Sequence, residues 1–287
     1  MSFYTGMMNN TVRKAGPLDT IWKNWKLPLD EGARCHSFGK TSLYVSIETA
    51  GDGAVLAAMS TFHEDKPAQK KGKTQKSNPS MPELPPIDDP IWTRAFVGKT
   101  QEYGLYPGYP PLPICARLHE SFALPPGSDI MGWIFSHLEA RILIDGETMA
   151  SFALIPPYKT LYGTPDSGVV CRYDEAVFLA SEEPATDFSH ANPALVAHPV
   201  RIRNASSGPV TVSDLCIYGE QLSIFGTGSR LQSERLLFTF SSSGVRMAID
   251  SQGRVPRGAT VLAKPQISGE ERAFERSFEL FKAITRI

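Results

Sequence analysis

Thr41-Ser42-Leu43-Tyr44-Val45-Ser46-Ile47-Glu48-Thr49 puts Leu43, Val45 and Ile47 on one side of an extended chain and Tyr44, Ser46 and Glu48 on the other. A period of two is the signature of a half-buried β-strand, because successive side chains leave opposite faces of the backbone. Ala54 to Met59 is placed to pair with it, and Asp52-Gly53 between them is a turn pair suited to a hairpin.

The same pattern recurs downstream. Phe122 to Ser128 reads as a strand end running into a Pro-Pro-Gly turn, with the next strand starting near Ile130. Segments centred on Trp133, Ile142 and Phe152 continue a meander of short strands. Val200 and Ile202 alternate with Arg201 and Arg203, Leu236, Phe238 and Phe240 with their polar neighbours, and Val245, Met247 and Ile249 repeat it. Between Val212 and Leu215 the apolar phase flips across Ser213-Asp214, which predicts a bulge or a change of sheet.

Two stretches interrupt the meander. Glu64 to Pro90 carries Lys66, Lys70, Lys71, Lys73 and Lys76 and then a run of prolines, and is expected to be a flexible surface insertion. Tyr103 to Pro113 is crowded with Gly, Pro and Tyr and is expected to be a rigid extended crossing over a sheet. Helical spacing is convincing only at the end, where Phe274, Phe278, Phe281 and Ile284 form a stripe behind a capping-box pair, Ser268 and Glu271.

These readings predict an all-β protein of two β-sandwich-like units, residues 1–155 and 156–287, with a helix over residues 269–286 packed on the second. One large sandwich is the alternative. Length permits either, since the chain has 287 residues. Hydrophobic residues at 41% and charged residues at 21% are those of a folded chain.

Twenty-nine basic against thirty acidic residues give a net charge of -1, which argues against a dedicated nucleic-acid binder. No apolar run reaches membrane-spanning length, and residues 1–13 lack a signal-peptide core, so neither membrane insertion nor export is expected. Cys35, Cys115, Cys171 and Cys216 are scattered without Cys-x-x-Cys spacing, which predicts neither disulfides nor a metal site and points to the reducing cytoplasm.

Diagnostic catalytic spacing is absent. The six histidines form no metal-binding cluster, and His119-Glu120 with Arg117 reads equally well as a solvated strand face. Gly226-Thr227-Gly228 lacks the third glycine and the helix of a phosphate loop, so it reads as a loop, and no cofactor is expected.

The most distinctive stretch is Tyr158 to Tyr173, in which two glycines, a proline and an aspartate compress the chain between tyrosines, a lysine, a thiol and an arginine. Convergence of Tyr162, Asp166, Arg172 and Tyr173 would bind a small anion or a sugar by stacking and charged hydrogen bonds. A tight hairpin whose aromatic rings close the core is the alternative. The primary functional expectation is a non-catalytic binding or assembly module. The other is a carbohydrate-active or hydrolytic enzyme built on carboxylates such as Glu120, Glu139 and Asp166.

Thr160-Leu161-Tyr162-Gly163, Ser167-Gly168 and Cys171-Arg172-Tyr173 resemble an uncharacterised prokaryotic family catalogued as domain of unknown function 432. Phe122 to Gly127 and Pro199 to Asn204 add to the likeness, which covers roughly the latter two-thirds and leaves out the lysine-proline insertion. The resemblance implies a soluble, mainly β protein and supplies no activity, cofactor or catalytic residue. It also implies a membrane channel as a protein partner, since relatives are encoded near mechanosensitive channels.

Overall fold

The computed structural model describes residues 21–26, 29–30, 32–63, 84–98, 102–166, 168–181, 192–227, 230–250 and 258–267. These residues are all-β: they form strands, turns and one short 3-10 helix, Gly219–Gln221, and no α-helix. The predicted helix over 269–286 lies outside the described residues, as do the insertion lysines between Lys66 and Lys76. No helix among the described residues is long and apolar enough to cross a membrane.

The first strands are β1 (Lys23–Lys26), β2 (Arg34–Phe38), β3 (Thr41–Ala50), β4 (Gly53–Phe62), β5 (Thr93–Phe96) and β6 (Glu102–Gly108). Then come β7 (Ile114–Leu124), β8 (Asp129–His137), β9 (Glu139–Ile144), β10 (Glu147–Ala153), β11 (Lys159–Tyr162), β12 (Val169–Ala176) and β13 (Phe178–Leu179). The last are β14 (Leu195–Asn204), β15 (Val210–Ile217), β16 (Ile224–Thr227), β17 (Arg230–Gln232), β18 (Leu236–Ser241), β19 (Gly244–Ile249) and β20 (Thr260–Ala263).

They assemble into four sheets. Two, β2-β3-β4-β5 and β1-β6-β9-β10, are antiparallel and drawn wholly from residues before 155. The others mix the two sides of that position. In β11-β12-β7-β15, β12 runs parallel to β7, and in the sheet built on β14 that strand pairs antiparallel with β8 and parallel with β17 and β18. One apolar cluster draws on all four, from Trp22 through Leu43, Leu105, Ile114 and Val200 to Met247.

Several expectations are corrected in detail. The β3–β4 turn is Gly51-Asp52, one residue earlier than expected: Ala50 pairs with Gly53, and Gly51 takes a φ of 60°. A glycine at the first turn position with positive φ is what a type II′ hairpin uses. β3 is also not half-buried. Thr41 to Ile47 are buried on both faces, because Trp92, Leu84 and Ile87 cover Tyr44, Ala57 and Met59 on the second one. Residues 84–90 therefore belong to the folded body, and the Trp92 indole N–H donates to the Pro85 carbonyl at 3.1 Å.

Tyr103 to Gly108 form a paired strand instead of a crossing. Pro107 is tolerated because β1 covers only Glu102 to Leu105, so a missing N–H on that side breaks no ladder. Gly226 and Thr227 lie in β16 and pair with β17. The phase flip at Ser213 is a bulge, with the β15–β7 register shifting between Val212 and Asp214.

Candidate functional site

The hairpin β11–β12 carries the distinctive stretch and offers three different environments. Its register pairs Lys159 with Arg172, Thr160 with Cys171, Leu161 with Val170 and Tyr162 with Val169. Alternation then separates the predicted residues. Tyr162 and Tyr173 lie on one face of the sheet, Arg172 on the other, and Asp166 in the exposed turn between the strands.

On the face shared by Tyr162, the adjacency of β12, β7 and β15 gathers three thiols that are far apart in sequence. Cys115 pairs with Cys216, and the Cys171 and Cys216 sulfurs stand 3.7 Å apart under half-buried Tyr162, Val169 and Tyr218. Burial pushes the Cys115 thiol up to about 11 and raises Cys171 and Cys216 as well, so all three stay protonated and unreactive near neutral pH. Among the described residues no group of three or more His, Cys, Asp or Glu has a geometry that could hold a metal ion. Farther along this face Arg117 meets Asp214 at 3.6 Å and His119 meets Glu175 at 3.9 Å, both solvated pairs.

The opposite face of β12 enters the core and carries a polar cluster. Asp174, 2% exposed, accepts from the His137 backbone N–H at 2.6 Å and from the imidazole Nδ1 at 2.9 Å. Arg172, 3% exposed, donates to the His137 carbonyl and stands 3.9 Å from the Asp174 carboxylate. β12 thus clamps His137 through its backbone and its ring together. The ring is 23% exposed, and its second nitrogen, Nε2, is the one left without the carboxylate.

Glu139 follows two residues on. Burial raises its carboxyl, opposed by the positive charges of Arg172 and Arg141, and Arg141 in turn donates to the Tyr109 carbonyl at 2.9 Å. Among the described residues, Nε and Nη1 of Arg172 have no hydrogen-bond partner.

Deeper still, Ser136, His198 and Ser233 form a chain. The Ser233 hydroxyl donates to the Glu234 carbonyl at 2.7 Å, so it accepts from His198 Nδ1 at 2.8 Å, and Nε2 accepts from the Ser136 hydroxyl at 2.8 Å. The ring is fully buried and stacks on Tyr109, and burial pushes it down to about 3. A serine–histidine contact with no path to solvent is a satisfied core network, not a nucleophile with its base.

The edge is the third environment. Among the described residues β11 pairs with β12 alone, and Tyr158, Leu161 and Val170 beside it are 68%, 43% and 51% exposed.

A family model described as protein of unknown function (DUF432) matches residues 21–282. The chain belongs to this family. The DUF432 match reaches well ahead of Pro113 and includes β1 to β6, so the family unit is wider than the likeness around Cys171-Arg172-Tyr173 implies. No curated protein and no solved structure matches the chain.

Sequence reasoning picked out Arg172 but missed His137 and Asp174. Half of the signal was present: Arg172 and Asp174 are two apart on one strand and so share a face. The other half, that His137 at the end of β8 meets that face, depends on the packing of two sheets.

Proposed function

We propose that this DUF432 chain is a non-catalytic binding and assembly module that receives an extended segment of a partner protein along the outer edge of β11. The observation that carries the reading is the exposed apolar trio Tyr158, Leu161 and Val170 beside a strand that, among the described residues, is paired on one side only. Unpaired strand edges are templates for another chain, and folded proteins usually blunt them with charge, proline or a cover. Here Lys159 is the only charge on β11. Main-chain hydrogen bonds would supply affinity, and the Leu161–Val170 pair would select an apolar side chain at alternate positions of the added strand.

The test compares native co-purification of the full chain with that of Leu161→Lys and Val170→Lys. Bound species are identified by mass and amide exchange is mapped on each complex. Support is a protein that protects the amides of residues 159–162 and is lost from both variants. A partner retained by both variants, protection only elsewhere, or concentration-dependent protection in the purified protein, which would make a second copy the added strand, overturns it.

A hydrolytic reading has one specific support, the His137 ring held by buried Asp174, with the partly desolvated carboxyl of Glu139 two residues on in the chain. It requires turnover of ester or glycoside chromogens that falls at least about a hundredfold in His137→Gln, the usual size of a general base contribution. No turnover by the wild-type chain rejects it.

For the architecture we favour one large sandwich. Its support is the pairing of β7 and β8 with β12, β14 and β15 across residue 155, together with the common apolar cluster.

A further inference from the structure

Trp92, Leu84 and Ile87 cover Tyr44, Ala57 and Met59 on the second face of β2-β3-β4-β5, and beside that cover, toward the β3–β4 turn, the face stays open. A cavity of about 330 Å³ lies there on Val55, walled by Glu48 and Thr49 of β3, by Arg94 of β5 and by Ile87 and Asp88 of the cover. That volume is at the small end of ligand sites, about 300–1,000 Å³. The register explains the lining. Glu48 pairs with Val55 and Val55 with Phe96, while Ala57 pairs with Arg94, so Glu48, Val55 and Arg94 leave the same face of the sheet. Acid and cation stand on β3 and β5, whose backbones run roughly 9–10 Å apart on either side of the strand that carries Val55.

Both walls are fixed. Asp30 ties down the β3 side, accepting from the Thr49 hydroxyl at 2.7 Å and from the Thr49 N–H at 2.9 Å. The cover is closed by the Trp92 backbone N–H, which donates to the Asp89 carbonyl at 3.1 Å, and by the Trp92 indole on Pro85. A site formed in advance loses less to ordering when a ligand enters. The charges on these walls do not neutralise one another: the side chains of Glu48, Asp88 and Arg94 reach solvent, and none has an ion pair or a hydrogen bond among the described residues.

From this arrangement we infer a binding site for a small zwitterion, an α-amino acid with an apolar side chain. It lies on a different sheet from the β11 edge and does not depend on it. Arg94 meets the carboxylate with its paired N–H donors, Glu48 and Asp88 accept from the ammonium, and Val55 and Ile87 receive the apolar side chain. A simple anion would face two carboxylates and a simple cation the guanidinium, so each is drawn to one wall and repelled by the other. A neutral ligand gains only the apolar floor. An amino acid carries both charges next to an apolar group, and so matches every wall at once.

Calorimetric titration of the full chain with free leucine, methionine and phenylalanine tests the site. The amide of each amino acid lacks the carboxylate, and its N-acetyl derivative lacks the ammonium. Saturable binding of at least one free amino acid is expected, weakened at least about tenfold in both of its derivatives, a change equivalent to the loss of one good contact. Arg94→Gln should weaken the free amino acid by the same factor without weakening its amide, which has no carboxylate to offer. Glu48→Gln combined with Asp88→Asn should weaken the free amino acid without weakening its N-acetyl derivative. Arg246→Gln, which removes an exposed cation of β19, should bind as wild type does. Thermal unfolding of each variant verifies the fold. Absence of saturable binding, a derivative bound as tightly as the free amino acid, or an Arg94→Gln variant that binds the free amino acid as wild type does or loses the amide equally would each overturn the inference.

Discussion

β3–β4 and β11–β12 are both antiparallel hairpins announced by alternating sequence, yet they end in opposite circumstances. β3 is buried on both faces for seven residues, one against the main core and one under Trp92, Leu84 and Ile87. β11 contributes no buried residue, and the strand beside it divides its outlets between a thiol cluster, a buried ion pair and an exposed apolar edge. Alternation shows that a strand has two faces. What lies against the second face is settled by segments elsewhere in the chain.

The sharpest way to break the contrast is at Arg172, since β12 should owe its inner face to charge where β3 owes it to apolar contact. Arg172→Met leaves Asp174 buried without its cation and is expected to cost about 3–5 kcal/mol in urea unfolding, with the denaturant slope unchanged. A loss below about 1 kcal/mol would mean that the pair is not holding this face. Next in size is Tyr44→Ala, expected to cost about 3 kcal/mol although period-two reading puts Tyr44 on the solvent side of its strand. A small loss there would restore β3 to half-buried status.

Acid probes the interior through two buried histidines. His36 on β2 bonds the Tyr103 hydroxyl at 2.6 Å, and burial pushes its imidazole down to about 4, as it pushes His198 to about 3. Both stay neutral in the fold while the unfolded chain takes up protons below about pH 6.5. Their contribution is therefore complete above that pH and drains away as pH falls toward the folded values. Each should account for about 2 kcal/mol of stability lost between about pH 6.5 and 5. His36→Gln and His198→Gln should flatten the stability curve by that amount, and an unchanged slope in either would show that ring to be solvated.

The smallest effect is expected at the edge: Leu161→Ser should change stability by less than about 0.5 kcal/mol, because the residue is 43% exposed. A loss of about 2 kcal/mol would instead show that the edge is covered in the intact chain.

Much of the fold was legible. The strands at 41–50, 195–204 and 236–249 follow the alternation of Leu43, Val200 and Phe238 with their neighbours, the strand at 129–137 was expected around Trp133, and of the bulge or change of sheet expected at Ser213 the bulge is found. The site was legible only in part. Tyr162 and Arg172 were picked out by composition, but adjacent registers sent them to opposite faces, and Cys115, Cys171 and Cys216 gave no sign of meeting because their spacing is tertiary.

By itself, then, the sequence determined that this is a β protein of the DUF432 family and where its most regularly alternating strands run, because period and turn chemistry are properties of neighbouring residues. Only the tertiary structure decided that Asp174 holds His137 and that three thiols share one cover. Each of those depends on which strands lie side by side. That choice is made by the closing of a common core over long separations in the chain.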